Sequence, residues 1–418
     1  VKRTTFWLLA VAAAPVSAQE PPGYLALPPT PVVEQVLAAY PPVKAARDQV
    51  RFELANARRL QAGPYEFALR GAYMSHDLPT GRFPEWELGL ERPIRLPNKG
   101  RADEAIGDQN VVLARRVAYS AWCDGARQLL RLWFAWAREN VQLELQRQQV
   151  GHLREQERIV EKRAKAGDAP RVEINLAQAA LAQTEALVAV LEGREAGARA
   201  ALERTFPGLP VPPRTLPAEP VRIVESLDFF AERVRMHNDE VRVARATARR
   251  GQLLADRASI ERQPDPTVGV RLGIDRSQSD RIAGVYLTVP IPGKARAALS
   301  DAVRAQADSA LNSEAAVVQR VTADVAMMYG QAQGAYAGWE RARSAAEGMR
   351  RNAQSMTRSW QLKEAALSDV IIARRLEIEA AVAAALAQIE AEETRYRLLI
   401  EAHLMWNDPE EEAEPHAD

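Results

Sequence analysis

Few side chains in this 418-residue sequence are spaced to do chemistry. The clearest pair is Glu173 and Asp369. They stand 196 residues apart in matching contexts, Val172-Glu173-Ile174-Asn175-Leu176-Ala177 and Ser368-Asp369-Val370-Ile371-Ile372-Ala373. Each falls about one turn into a predicted helix, where a carboxylate stabilises the helix dipole by ~0.3–1 kcal/mol. Repeated around a ring, the same groups would favour cations and repel anions. The dipole role is the better fit for Glu173, and the two roles are balanced for Asp369. The five histidines, His76, His152, His237, His403 and His416, include no i,i+3 or i,i+4 pair and no HExxH. They read as surface or packing residues. A single cysteine, Cys123, excludes an intrachain disulfide and any CxxC site. No phosphate-binding loop occurs. The sequence therefore predicts neither an enzyme nor a cofactor. Its 55 basic and 55 acidic residues argue against a nucleic-acid binder.

The elements that carry these residues occur twice. Pro93-Ile94 followed by Pro97-Asn98-Lys99-Gly100-Arg101 recurs as Pro290-Ile291 followed by Pro292-Gly293-Lys294-Ala295-Arg296, at an offset close to 196. The chain thus reads as a tandem duplication, with residues 19–206 and 223–406 as the copies and 207–222 as a stiff proline-rich linker. Helices are predicted over 31–62, 98–163 and 170–204, and again over 223–262, 294–362 and 368–405. A helix over 98–163 would be ~100 Å long. The helices at 31–62 and 170–204, stacked end to end, match it as a second, broken rod. Two apolar stripes read as helix–helix core. One is Leu129, Trp133 and Trp136; the other is Leu376, Ala383 and Leu386. Gly167-Asp168-Ala169-Pro170 marks the first break between helices. The second, at Ala366-Leu367-Ser368, has neither glycine nor proline and rests on the repeat and on Ser368-Asp369 as a helix cap.

Between the rods the period changes from helical to two. Strands are predicted at 65–74, 85–92, 266–275 and 282–290, joined by polar loops at 75–84 and 276–281 that make each pair a hairpin. One face of each strand is apolar. Tyr65, Tyr73 and Trp86 suit the aromatic belts of a membrane interface. Long rods offer no layer to cover such a face, and lipid is the remaining partner. Four strands cannot close a barrel, which needs ~8. An open edge cannot stand in lipid, so several chains must pool their strands. Residues 1–18 read as an export signal, with Lys2-Arg3, an apolar run and Val16-Ser17-Ala18 as the cleavage site. Gln19 offers no site for a lipid anchor. Beyond that segment no transmembrane helix is expected, and residues 407–418 read as an acidic, disordered tail.

The duplicated hairpins, the Pro-Ile turns before Lys99-Gly100-Arg101 and Lys294-Ala295-Arg296, and the two helix breaks together resemble the TolC-type outer-membrane factors over roughly residues 30–405. Leu90-Glu91-Arg92-Pro93-Ile94 is similar to the CzcC-like branch, which serves heavy-metal exporters of the resistance-nodulation-division type. The resemblance implies a mainly helical homotrimer with a twelve-stranded outer-membrane β-barrel, four strands per chain, continuous with a twelve-helix periplasmic tunnel. It implies a passive duct for Co, Zn, Cd or Ni, working with a periplasmic adaptor and an inner-membrane pump. Gly167, Asp168, Ala169, Pro170, Ala366, Leu367 and Ser368 become the docking tip, and Asp369 and Glu173 the aperture. Two other readings stand beside it: a channel for drugs or organic solutes, and a periplasmic coiled-coil adaptor without a pore.

Overall fold

A computed structural model describes residues 27–79, 81–213, 219–275 and 280–409. The export segment, part of the linker, the second hairpin loop and most of the acidic tail lie outside these residues. Twelve elements are described in two matching sets. The first set is α1 (Thr30–Ala39), α2 (Pro41–Ala62), β1 (Ala68–Leu78), β2 (Gly81–Pro93), α3 (Pro97–Lys165) and α4 (Arg171–Thr205). The second is α5 (Leu227–His237), α6 (Asp239–Ile260), β3 (Thr267–Asp275), β4 (Asp280–Thr288), α7 (Lys294–Gln361) and α8 (Leu367–Glu401).

The helices expected at 31–62 and 223–262 are each two helices. Pro41 and Pro42 cannot continue α1, because proline lacks the N–H and disfavours helical backbone before it, so Tyr40 turns extended (φ −64°, ψ 127°). In the second set Asn238 does the same work by capping: its Oδ1 accepts the N–H of Val241 at 3.2 Å. The long helices contain 69 and 68 residues, rods of ~100 Å. Both α2 and α4 pack along α3, and both α6 and α8 along α7. Close approach of α2 depends on Gly107, where a Cβ would stand 3.1 Å from the Ala57 Cα. The two sets join through α3, which also packs on α6 and α8. Arg250 Nε donates to Asn110 Oδ1 at 2.7 Å across that seam.

The main core lies at mid-length. Trp122, Leu129, Trp133, Phe134 and Trp136 of α3 pack there with Leu37, Phe206, Ile389 and Trp406. The stripe Leu376–Ala383–Leu386 does not behave this way. Leu376 and Ala383 are exposed, because α8 turns Val370, Ala373, Ile389 and Leu398 inward instead. Helix α8 also ends at Glu401 rather than 405, in a turn through His403 (φ 52°). Beyond it, Trp122 Nε1 donates to the Trp406 carbonyl at 2.7 Å, and Arg47 pairs with buried Asp408 at 3.2 Å. Asn407 and Asp408, expected in the disordered tail, are therefore anchored.

Strands β1-β2-β3-β4 form one antiparallel sheet in that order. The first strand runs later than expected, and no loop spans 75–84. Pairing continues to Leu78↔Gly81, so Ser75–Leu78 and Gly81–Pro84 are ladder. Ser75, His76 and Asp77 are polar on both faces, so no apolar alternation marks this stretch as strand in the sequence.

Candidate functional site

The candidate site is spread over the sheet faces, the junction where sheet meets rods, and the far tips of the rods.

The register aligns one face across all four strands. Leu69, Leu90, Val270 and Val285 form one row, and Gly71, Leu88, Leu272 and Ala283 the next. Leu69, Tyr73, Val285 and Leu287 are between 64% and 76% exposed. Among the described residues this apolar face has no covering layer, and β1 and β4 leave two unpaired edges. The opposite face is polar. Arg70 pairs with Glu91 at 2.7 Å, and the Tyr286 hydroxyl donates to Glu91 at 2.5 Å. His76, expected in a loop, lies in β1, and its Nε2 is 3.0 Å from Glu85 Oε2.

At the junction, Lys99 is fully buried. Its Nζ lies 3.1 Å from Asp265 Oδ1 and 3.2 Å from Glu261 Oε2, so a residue of the first set is paired with two of the second. Tyr65 belongs here and not to an interface belt, since its hydroxyl donates to Asp265 at 2.5 Å. That bond, with burial, pushes the tyrosine pKa up to about 12. Burial acts to raise the Asp265 pKa. Hydrogen bonds from Tyr65, the Leu96 N–H and Lys99 outweigh it and hold the carboxyl below the usual range. Arg95 closes the end of α2 by donating to the carbonyls of Leu60 and Gln61, each at 2.6 Å. The sequence singled out the Lys99-Gly100-Arg101 motif as a repeated turn. Its burial was not visible, because its acidic partners lie some 160 residues away.

At the tips, the two breaks share one backbone geometry. Gly167 (φ 78°) closes α3 with Gly167 N–H to Ala164 O and Asp168 N–H to Arg163 O. Lys363 (φ 64°) closes α7 with the same pair of bonds, from Lys363 to Trp360 and Glu364 to Ser359. Lysine thus holds the left-handed position that glycine holds in the first copy, which explains why the second break lacked a signal. Helix α8 starts one residue early, with Ala366 as its cap, so Ser368 and Asp369 lie inside its first turn rather than capping it. Gly167→Ala adds a Cβ that touches nothing yet is strained at that φ, so a loss of ~1 kcal/mol is expected in thermal unfolding.

The tips of the two sets touch each other. Lys363 Nζ is 2.6 Å from Asp168 Oδ1, and the Arg163 guanidinium lies 5.0 Å from the Trp360 ring. The Lys363 bond, with a second from Arg163, lowers the Asp168 pKa. Val160, Trp360, Leu367 and Val370 make a small core beneath. Leu367 is 1% exposed, so it offers no surface to a docking partner, unlike exposed Gly167, Asp168, Pro170, Ala366 and Ser368 and half-buried Ala169. Asp369 is exposed. Glu173 is half-buried, with Oε2 enclosed and unpartnered. By length and composition α4 could cross a membrane. It is nevertheless paired to α3 by Arg147–Glu192 and Arg154–Glu185, both at 2.7 Å, which suits an aqueous setting.

No family model and no curated protein matches the sequence. Solved structures do match it. The CmeC outer-membrane channel of Campylobacter jejuni aligns at TM-score 0.72 and 11% identity, covering 97% of this chain and 95% of that one. The outer-membrane channel OprN aligns at 0.71 and 16%, covering 90% of each. CusC, described in terms of transmembrane channel formation, aligns at 0.73 and 14%, covering 92% and 95%. The fold is that of these channels. Each match covers 90% or more of this chain, and so reaches into both helical sets.

Proposed function

We propose that this chain is the passive exit duct of a tripartite efflux system, a homotrimer set in the outer membrane and extending through the periplasm. The observation that carries this reading is the open sheet: four in-register strands with one bare apolar face, two unpaired edges and ~100 Å rods below. Three copies pool twelve strands into a closed barrel, which removes the edges and gives the apolar face to lipid. The polar face then lines the lumen. Exposed apolar residues on the rods, Leu376 of α8 and Leu187 and Val190 of α4, gain a neighbouring copy to pack against. An inner-membrane pump of the resistance-nodulation-division type and a periplasmic adaptor meet the duct at the exposed tip residues. A soluble adaptor would have no use for a bare sheet face.

The cargo we favour is a divalent heavy-metal cation such as Co, Zn, Cd or Ni, supported by the Leu90–Ile94 likeness and by carboxylates at the tips. Drugs or organic solutes are the second reading, and loss of resistance in a deletion strain across metals and drugs separates them. Fractionation with heat-modifiable gel mobility tests the duct itself: a detergent-requiring outer-membrane trimer supports it, and a water-soluble monomer ends it. Asp369→Asn should reduce cation selectivity and divalent block in single-channel recordings. Unchanged selectivity would leave Asp369 a helix-dipole residue only.

A further inference from the structure

The mid-length belt holds a donor cluster that the duct function does not use. Cys123 of α3, Asp239 at the start of α6 and His403 just after α8 each offer a ligand atom, and these atoms lie within 4.8 Å of one another. The three residues are 5%, 0% and 6% exposed. They are spread over 280 positions of the chain and come from both sets. The Tyr119 hydroxyl meets His403 Nδ1 at 2.6 Å, with the two rings stacked, 5.4 Å between centroids. That contact fixes the imidazole and leaves Nε2, which is enclosed and has no hydrogen-bond partner. A metal-binding histidine is commonly held by its other nitrogen in this way.

We propose that Cys123, Asp239 and His403 bind one thiophilic divalent cation of the zinc type, as a structural clamp between the two halves of the chain. The surrounding charge narrows the choice of ion. Arg127 grips Asp239 at 2.7 Å and Glu401 at 2.6 Å, Arg242 lies over Tyr119, and Arg233 donates to the carbonyls of Ala402 and His403. Arg127 also pairs with Asp124 at 2.9 Å, so three guanidiniums already balance three carboxylates and an ion held by charge alone gains little there. An ion that bonds to thiolate and imidazole suits the donor set, whereas calcium and magnesium, which take oxygen ligands, do not. Binding through Nε2 uses the tautomer whose Nδ1–H donates to the Tyr119 hydroxyl. Arg127 and the Ser120 hydroxyl each donate to the Asp239 carboxylate at 2.7 Å. On binding, the Cys123 thiol gives its proton to solvent, as a thiolate ligand requires. The donors must close by up to about 1.4 Å to reach the ~3.4 Å spacing set by tetrahedral metal bonds of ~2.0–2.3 Å. Three protein ligands leave a fourth position for water.

Cobalt(II) is the probe. The purified full-length protein, stripped with a chelator and titrated with Co(II), should take up one tight equivalent per chain. It should also develop a near-ultraviolet thiolate-to-cobalt charge-transfer band. Cys123 is the only cysteine in the sequence, so the band identifies the site without a variant. Cys123→Ser and His403→Gln should lose the tight equivalent, while Tyr119→Phe should keep the band and bind ~10–100-fold more weakly. A saturated wild-type protein without the band overturns the proposal, as does undiminished binding by Cys123→Ser. The result is independent of whether the chain forms a duct.

Discussion

Leu272→Arg should abolish assembly in the membrane. Leu272 sits mid-strand in β3, in register with Leu88 on β2 and Ala283 on β4, and is 52% exposed on the bare face. A lipid-facing arginine near the bilayer midplane costs ~2–4 kcal/mol, so the proposed trimer would lose ~6–12 kcal/mol at once. That is comparable to the whole stability of many domains, ~5–15 kcal/mol. The helical rods need not unfold, because the sheet contributes nothing to their core. The expected phenotype is a helical protein missing from the outer-membrane fraction and from the heat-sensitive trimer band. The adjacent residue supplies the control. Arg271 points to the opposite face, so Arg271→Gln should leave trimer and fractionation intact. Equal yields of trimer from both variants would show that the apolar face does not meet lipid.

Those faces were legible in the sequence because period-two alternation survives without knowledge of any partner. The rods were legible for a similar reason: they are long enough for helical spacing to dominate. What was hidden depends on contacts between distant residues. The sequence could show the Lys99 motif twice but not that one copy is buried among Glu261, Asp265 and Tyr65. It could count Cys123 and His403 but not bring them together, because metal-ligand spacing is a local test and this cluster is not local. The second tip had no glycine to announce it, since Lys363 accepts a left-handed backbone and turns its ammonium to Asp168. The double proline before α2 was in plain view, and its effect was missed because the rod on either side read as continuous helix.

Asp265→Ala should cost the chain ~3–5 kcal/mol, because it leaves a buried charge short of its partner. Asp265 is the common acceptor of the junction, taking the Lys99 ammonium at 3.1 Å, the Leu96 N–H at 3.1 Å and the Tyr65 hydroxyl at 2.5 Å. Its loss strands the Leu96 N–H and the Tyr65 hydroxyl and leaves Lys99 with Glu261 alone. Replacing both charges, as in Lys99→Met with Asp265→Leu, should cost less than the sum of the single changes, with a coupling of ~0.5–3 kcal/mol in a double-mutant cycle. The pH dependence has a definite sign. Burial raises the pKa values of Asp265 and Glu261, but the junction's donors more than reverse this and hold both below the usual ~3.9 and ~4.3. Their stabilisation is fully present above those ordinary values and is lost as the pH falls through the lowered ones. The melting temperature should therefore hold from neutral pH to about 5 and fall below about 4, with a shallower fall in Asp265→Ala. The duplicated Lys294 stands exposed where Lys99 is buried. It follows β4, the open edge of the sheet, whereas Lys99 follows β2 and meets the set beside it. The same motif is thus satisfied where the chain supplies its own neighbour and bare where it supplies none, an asymmetry that the proposed ring of identical chains would remove.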